Sequence, residues 1–535
     1  MGRKTLLILS IISGMLLSVP WLIPSFSWIL FLAFVPLLVV EDLLVSKKQS
    51  SSAIFFYAFI AFIIWNVLST WWISYVSLSG MIIIAVLNSL LMACIWWLMY
   101  FVHRKTTSLT GYFSLIVFWL AFEFLHFNWS VQWPWLTLGN GFANAGKLIQ
   151  WFEFTGVQGG SLWILLVNIS IYVIYKRLTA KAILKTIRLL GLLFLLISLP
   201  VAWSLYLYYS YSETGKTAEV VILQPNIDPF SEKFSGISNE EQSSRLISLA
   251  GSIITNSTEY VLAPETALPP IWEGNGMKQN HALTLIDSLI SNYPQLKFVV
   301  GAVTQKKMDA NQPVSYTSRQ LDDGSFYDVF NSALLIDSSS VVQVAHKSVL
   351  VSGVEKMPFQ KYFSFVAKYI VHLGGVAGSF TPASQLTVFI GPKDEKIGAV
   401  ICFESVFGEY VSGTVKKGAN LIFVITNDGW FKDSPGVGQH FSYSRLRAIE
   451  TRRCVVRSAN TGVSGIINGR GDVVEKTKVN SQVVIKSDIN LNNTITFYVR
   501  YGDYIGWISL MLSVSILIYP FLFGNGQKKS ALIRL

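Results

Sequence analysis

The sequence predicts an α-helical membrane bundle of about eight transmembrane helices joined to one soluble α/β domain. Three observations carry this reading. Apolar residues come in blocks of about 20, basic residues crowd onto alternate loops, and the remaining half alternates strand-like and helix-like patterns. With 535 residues, 52% of them hydrophobic and 14% charged, the chain is too apolar for an ordinary soluble protein. That composition also excludes a disordered or collagen-like chain. Three cysteines with no CxxC pair exclude a disulfide scaffold.

The apolar blocks lie at 5–23, 28–46, 53–72, 81–102, 112–127, 161–175, 189–209 and 504–523. They divide the chain into a seven-helix bundle over 1–214, a soluble domain over 215–500, and an eighth helix with a tail over 501–535. The net charge of +11 then has a place. With the first residue in the cytoplasm, the cytoplasmic loops and ends hold Arg3, Lys4, Lys47, Lys48, Arg104, Lys105, Lys176, Arg177, Lys181, Lys185, Arg188, Lys528, Lys529 and Arg534. The short loops on the other side hold only Lys147. This asymmetry predicts cytoplasmic termini and an outward-facing soluble domain, which in a bacterial inner membrane would be periplasmic. The rest of the chain is close to neutral, so a nucleic-acid partner has no support. The first block, behind Arg3 and Lys4, also has the form of a signal peptide. No small-residue cleavage site follows it, and an uncleaved helix makes the loop charges consistent.

Within the soluble domain, β-branched apolar runs predict strands at 219–223, 260–262, 297–300, 333–336, 341–344, 397–401 and 420–425. Shorter ones follow at 455–457, 464–467, 473–474 and 483–485, with a Gly469-Arg470-Gly471 turn. Helical periodicity fits 239–255, 279–292, 405–418 and 439–452. Continuous apolar strands alternating with helices predict layers in which each strand is buried on both faces.

Chemistry in such domains sits where strands end. Three ends carry reactive side chains: Glu265 in Pro264-Glu265-Thr266, Lys347 in His346-Lys347-Ser348, and Cys402 in Ile401-Cys402-Phe403-Glu404. A thiol needs a base to become a nucleophile, and a desolvated Glu265 can serve. A lysine ammonium, or backbone N–H groups at the start of the helix after Cys402, would stabilise an oxyanion. Each residue has a plainer alternative: Cys402 as core filler, Glu265 as a turn cap, Lys347 as a solvated strand end, Cys402 and Cys454 as a disulfide.

The surrounding motifs resemble the nitrilase superfamily, and within it the membrane-embedded apolipoprotein N-acyltransferase family. The resemblance rests on Gln224-Pro225-Asn226-Ile227, Pro264-Glu265-Thr266-Ala267-Leu268-Pro269, Phe330-Asn331-Ser332, Lys347 through Glu355, and Cys402-Phe403-Glu404. Asn427-Asp428-Gly429-Trp430-Phe431 and Gln439-His440-Phe441, followed by Arg445, Arg447, Glu450, Arg457 and Asn460, extend it. Trp133-Pro134-Trp135-Leu136 adds a loop of the membrane half. Departures are Phe403 where the family often has Tyr, Ser352-Gly353-Val354 where it has Pro-Phe-Gly, and Phe234 where it has Trp.

The resemblance implies an α-β-β-α sandwich for the soluble domain and a Glu265, Lys347, Cys402 catalytic set. It also implies supporting roles for Glu355, Glu404 and Phe403. The implied partners are a phospholipid acyl donor and a diacylglyceryl apolipoprotein acceptor. An acyl chain would pass through a Cys402 thioester to the N-terminal α-amine, with no metal or other cofactor. Phe234, Phe363, Phe365 and Trp430 are candidate substrate or lid residues. The aromatic, basic, glycine-hinged stretch 356–379 reads either as a lid dipping into the membrane surface or as a packed helix. Glu123, within the fifth apolar block, is expected to face the bundle interior. The competing function is a membrane-tethered nitrilase-type amidase acting on a small periplasmic amide. An inactive lipoprotein-binding scaffold and a transporter are weaker alternatives.

Overall fold

The structure is a computed structural model in which residues 2–181, 183–213, 215–233, 236–309, 311–339, 341–356, 380–391 and 395–523 are described. The chain divides into two compact units. One comprises Met1–Ser74, Leu78–Ser210 and Tyr501–Leu535; the other comprises Tyr75–Ser77 and Tyr211–Arg500.

The first unit is helical. Among the described residues, eight helices are long and apolar enough to cross a membrane: Arg3–Leu22, Pro24–Ser46, Ser51–Tyr75, Leu78–Lys105, Ser108–Asn128, Phe152–Thr179, Thr186–Ser210 and Tyr504–Leu522. The sixth begins well ahead of its apolar block, because Glu153, Gln158 and three glycines dilute the hydropathy of its first turns. In hydrocarbon every backbone group must find a partner inside the protein, so a break in a span has to be repaired by a neighbour. The second span breaks at Phe34, just before Pro36. Asn168 of the sixth span repairs it, accepting from the Phe34 N–H (2.8 Å) and donating to the Leu30 carbonyl (2.7 Å). Pro200 lacks the N–H that would serve the Leu196 carbonyl, and the Trp163 indole donates there instead (2.8 Å). Glu123 does lie inside the bundle: it is buried and accepts from the Trp119 indole and the Leu138 N–H, both at 2.9 Å.

The second unit is an α-β-β-α sandwich. One sheet runs β14 (Val483–Asn490), β1 (Thr217–Gln224), β2 (Thr258–Leu262), β4 (Lys297–Lys307), β6 (Phe326–Ile336) and β5 (Arg319–Gln320), with β3 (Leu268–Trp272) beside β4 and β7 (Gln343–His346) beside β6; the other runs β13 (Val473–Lys476), β12 (Gly465–Ile467), β11 (Val455–Ala459), β10 (Leu421–Thr426), β9 (Lys396–Ile401) and β8 (Val388–Ile390). In the first sheet the parallel strands are β1, β2, β4 and, beside β4, β3. In the second they are β9 (Lys396–Ile401), β10 (Leu421–Thr426) and β11 (Val455–Ala459). The two-residue period of a strand assigns the layers. Val220, Ile222, Leu262 and Val299 face Ile397, Ile401, Phe423 and Val456 across the centre. Val221, Leu223, Val261 and Phe298 point the other way, against helices Asn239–Gly251 and His281–Asn292. Val400, Ile422, Val424 and Val455 pack similarly with Val411, Val415, Phe441 and Ala448, which belong to helices Gly408–Lys416 and Pro435–Thr451. Both faces are buried, which is why these strands read as unbroken apolar runs.

Several elements differ from the sequence expectation: β5 and β8 are not expected from it, and the strand expected at 341–344 lies at Gln343–His346. Strand β3 (Leu268–Trp272) carries Pro269 and Pro270 and pairs only with β4, as prolines permit at an edge. The antiparallel pair β4 and β6 (Phe326–Ile336) extends to eleven residues each, past their apolar cores into polar ends. The helix expected from 405 starts at Gly408, behind a separate 3₁₀ turn over Cys402–Val406.

Candidate active site

The ends of β2, β7, β9 and β10 supply the site. Beyond β2 the chain stays laced to β4: the Ala263 N–H donates to the Val299 carbonyl (2.8 Å) and the Gly301 N–H to the Pro264 carbonyl (3.1 Å). A Cβ at Gly301 would lie 2.5 Å from the Thr266 nitrogen and 2.6 Å from the Glu265 Cα, so the close approach depends on glycine. Thr266 then turns away in the left-handed region, at φ 48°. Glu265 is left buried just beyond the C-terminal end of β2, an interior strand of the first sheet.

Lys347 follows β7 (Gln343–His346), its N–H donating to the Asn331 carbonyl on β6 (2.8 Å). Its ammonium, 1% exposed, donates to Oε1 of Glu265 (3.2 Å) and Oε1 of Glu355 (2.8 Å). The Asn331 amide donates to the same two oxygens, at 2.7 and 2.9 Å. Glu355 is steadied from behind by the Val351 N–H (2.8 Å). The second oxygen of Glu265 accepts from the Asn427 N–H at the end of β10 (3.0 Å), so this carboxylate bridges both sheets.

Cys402 is a half-buried free thiol at the end of β9, held at φ 52°. A non-glycine residue in that region is strained and persists only where its surroundings impose it. Two sets of contacts do so. Glu404, fully buried, accepts from the Ile401 N–H with one oxygen (2.8 Å) and from the Ser348 and Val349 N–H groups with the other (2.6 and 3.2 Å). It therefore ties the Cys402 turn to the loop that carries Lys347. On the opposite side the Ser405 hydroxyl donates to the Cys402 carbonyl (2.7 Å), and His440 Nε2 lies 3.2 Å from the same oxygen. His440 Nδ1 sits 2.7 Å from Asp428, which Arg457 and the Thr426 hydroxyl also engage, at 2.7 and 2.9 Å.

The electrostatics divide the labour. Burial would push Glu265 up, but Lys347, the Asn331 amide and Lys233 outweigh it and hold the carboxyl below its ordinary range. Burial would lower Lys347, yet Glu265, Glu355 and Cys402 keep it protonated far above neutrality. Burial, reinforced by Glu265, pushes the Cys402 thiol well up despite Lys347. The resting pair is thus an ionised carboxylate beside a neutral thiol: a base and the proton it can take. Glu404 is raised to about 7 by burial, against its three backbone donors and Lys347.

Of the residues singled out in the sequence, Glu265, Lys347, Glu355, Cys402 and Glu404 come together. Phe403 is buried and packs edge-on to Phe407, with ring centres 5.1 Å apart. Trp430 stands on the turn after β10, edge-on to Phe230 at 5.3 Å. Phe234, Phe363 and Phe365, with nearly all of the 356–379 stretch, lie outside the described residues. Cys402 and Cys454 are separate thiols on one inter-sheet core, which removes the disulfide alternative. Among the described residues no group of three or more His, Cys, Asp or Glu side chains could hold a metal ion. Sequence reasoning gave no role to Asn331, Asn427, Asp428, His440 or Arg457, although each stood inside a quoted motif. Lys233 it missed outright.

Residues 220–498 match the family model described as carbon-nitrogen hydrolase. The chain belongs to the carbon-nitrogen hydrolase family. Residues 13–170 match a second model, described as the apolipoprotein N-acyltransferase N-terminal domain. The relatives of this family member include the apolipoprotein N-acyltransferase of Chlorobaculum tepidum, 26% identical over 525 residues and covering 94% of both chains. That of Geobacter metallireducens is 28% identical over 517 residues, 94% of this chain and 92% of the relative. Solved structures similar to it include a nitrilase-superfamily protein from Saccharomyces cerevisiae, with TM-score 0.37 and 13% identity over 52% of this chain and 92% of that one. A Nesterenkonia amidase has TM-score 0.35 and 14% identity over 54% of this chain and 94% of that one.

Proposed function

We propose that this carbon-nitrogen hydrolase is a lipoprotein N-acyltransferase that carries a fatty-acyl chain on Cys402. The observation that carries the reading is the buried Glu265–Lys347 pair beside the half-buried Cys402 thiol, in a chain whose other unit consists of membrane-length apolar helices. The match of that helical unit to the acyltransferase N-terminal model supports the same reading and speaks against a tethered amidase, for which one anchoring span would suffice.

Glu265 takes the proton of the Cys402 thiol as sulfur attacks the sn-1 ester carbonyl of a phospholipid. The Lys347 ammonium offsets the charge on the carbonyl oxygen. Glu265 returns the proton to the departing glycerol oxygen, leaving a thioester and a lysophospholipid. The α-amine of a diacylglyceryl-cysteine at the lipoprotein N-terminus then attacks the thioester. Glu265 accepts the amine proton and passes it to the leaving thiolate, which restores the enzyme. Two acyl transfers replace one difficult amide synthesis. Glu355 and Asn331 hold Lys347 and Glu265 in register, and Glu404 holds the Cys402 turn. The loop charges support a periplasmic catalytic domain with both termini in the cytoplasm.

Intact-protein mass spectrometry of detergent-purified protein and Cys402→Ser, each incubated with phospholipid, tests this. The expected result is a gain of one fatty-acyl mass, removed by neutral hydroxylamine and missing from the variant. A parental protein that gains no acyl mass, or a Cys402→Ser protein that gains the same hydroxylamine-labile mass, would overturn it.

A further inference from the structure

A second lysine lies close to Glu265, and the reaction above does not use it. Lys233 sits on the loop after β1. Its ammonium donates to the Thr266 hydroxyl (2.5 Å), one residue past Glu265 at the left-handed turn that ends the β2 loop. Lys233 and Glu265 line one narrow cavity together with Pro225, Ile227, Gln242 and Asn460.

The loop that carries Lys233 is itself built. Asn460 accepts from the Ile227 N–H (3.0 Å) and donates to the Ile227 carbonyl (2.6 Å), clamping the exit of β1. Asp228 accepts from the Phe230 and Ser231 N–H groups (2.7 and 2.8 Å), which closes the turn. The Gln242 amide donates to the Lys233 carbonyl (2.8 Å). A long cationic side chain costs both entropy and desolvation when it is anchored in such a place, and Glu265 is the carboxylate beside it.

We propose that Lys233 is a positioning residue for Glu265. Its bond to Thr266 holds the turn that aims the carboxylate, and its charge keeps that carboxylate ionised throughout both acyl transfers. The inference rests on the reading of Glu265 as the general base. Among the described residues, the charged and titratable groups around Glu265 are Lys347, with Glu355 paired to it, Cys402, and Lys233; Asp428 faces Cys402. Lys347 is held by two carboxylates, so its charge is shared. Glu265 is the charged neighbour of Lys233. Burial lowers the Lys233 ammonium to about 8, against the pull of Glu265, so it is charged across the acidic range in which Glu265 titrates.

The test is the acidic limb of Cys402 reactivity in the full chain, read two ways. One is thioester formation with phospholipid; the other is alkylation of Cys402 by iodoacetamide, followed by peptide mass spectrometry. In Lys233→Met the midpoint of that limb is expected to rise by about one pH unit, and in Lys233→Arg to return to the parental value. A parental midpoint in Lys233→Met by both readouts overturns the proposal. Should Lys233→Met fail to unfold cooperatively, Lys233→Gln replaces it with the same two outcomes. If the parental protein is never acylated while the alkylation limb still moves, the acyltransferase reading falls and the assignment of Lys233 stands.

Discussion

In the proposed reaction Glu265 must stay ionised while the Cys402 thiol keeps its proton, and neighbouring charges set both conditions. Lys347 and the Asn331 amide overcome burial at Glu265, while burial wins at Cys402. Glu265→Gln removes the base but leaves Glu355 as a partner for Lys347. We expect thioester formation to fall by about 10²–10⁴-fold with the fold retained, measured by mass spectrometry beside a thermal melt. Glu404 makes the opposite contribution to stability. Its pKa of about 7 in the folded chain lies above the ordinary 4.5, so the folded state binds the extra proton between those values. Its contribution is complete below about 4.5 and is lost as pH rises through about 7, a change on the order of 3 kcal/mol. Melting temperatures from pH 4.5 to 8 should therefore decline less steeply in Glu404→Gln than in the parental chain. Parallel curves would show that Glu404 does not titrate in that window. Glu265, held low, works in the other direction: its contribution is present above the ordinary carboxylate range and lost as pH falls through its lowered value.

At the scale of elements, the site depends on how closely strands and helices approach. The Glu265 loop lies on β4 because residue 301 has no side chain. Gly301→Ala should push Pro264 to Thr266 outward, costing about 1–3 kcal/mol of stability. Misplacing the base should cost about 10²-fold in acylation, a loss larger than the drop in melting temperature explains. In the bundle, Trp163 serves the carbonyl that Pro200 leaves without a partner. Trp163→Phe keeps the ring and removes the donor. The expected loss is about 1 kcal/mol in detergent, seen as a lower melting temperature. An unchanged melt would mean that the Leu196 carbonyl finds another donor.

Over the whole molecule, charge and hydropathy act across the membrane. The basic loops predict that residue 47 faces the cytoplasm and residue 307 the periplasm. Both lysines are exposed, Lys307 with 61% of its side chain accessible. In a Cys94→Ser, Cys402→Ser background, which leaves only the buried Cys454, a membrane-impermeant maleimide added to intact spheroplasts should label Lys307→Cys and not Lys47→Cys until the cells are broken. The reverse pattern would invert the topology and put the site on the wrong side for a periplasmic acceptor.

What the sequence determined by itself is whatever short-range pattern encodes. Runs of about 20 apolar residues marked the eight spans, because a span must hide its backbone within its own helix. Doubly buried strands wrote themselves as apolar runs. The reactive residues stood out because strand ends are where side chains leave the layers. Edge strand β3 was hidden by its prolines, and the polar ends of β4 and β6 by the loss of alternation. Only the tertiary structure decided how the reactive groups are held. Glu265 accepts from the backbone of Asn427, 162 residues away, and Glu404 from Ser348, 56 residues away. Asn168 repairs a helix break 134 residues earlier in the chain. A backbone N–H is the same in every residue except proline, so such pairings leave no local trace. Lys233 illustrates the limit: along the chain it is one more lysine in a polar turn, and the β1 loop brings it to Glu265 only when the first sheet closes.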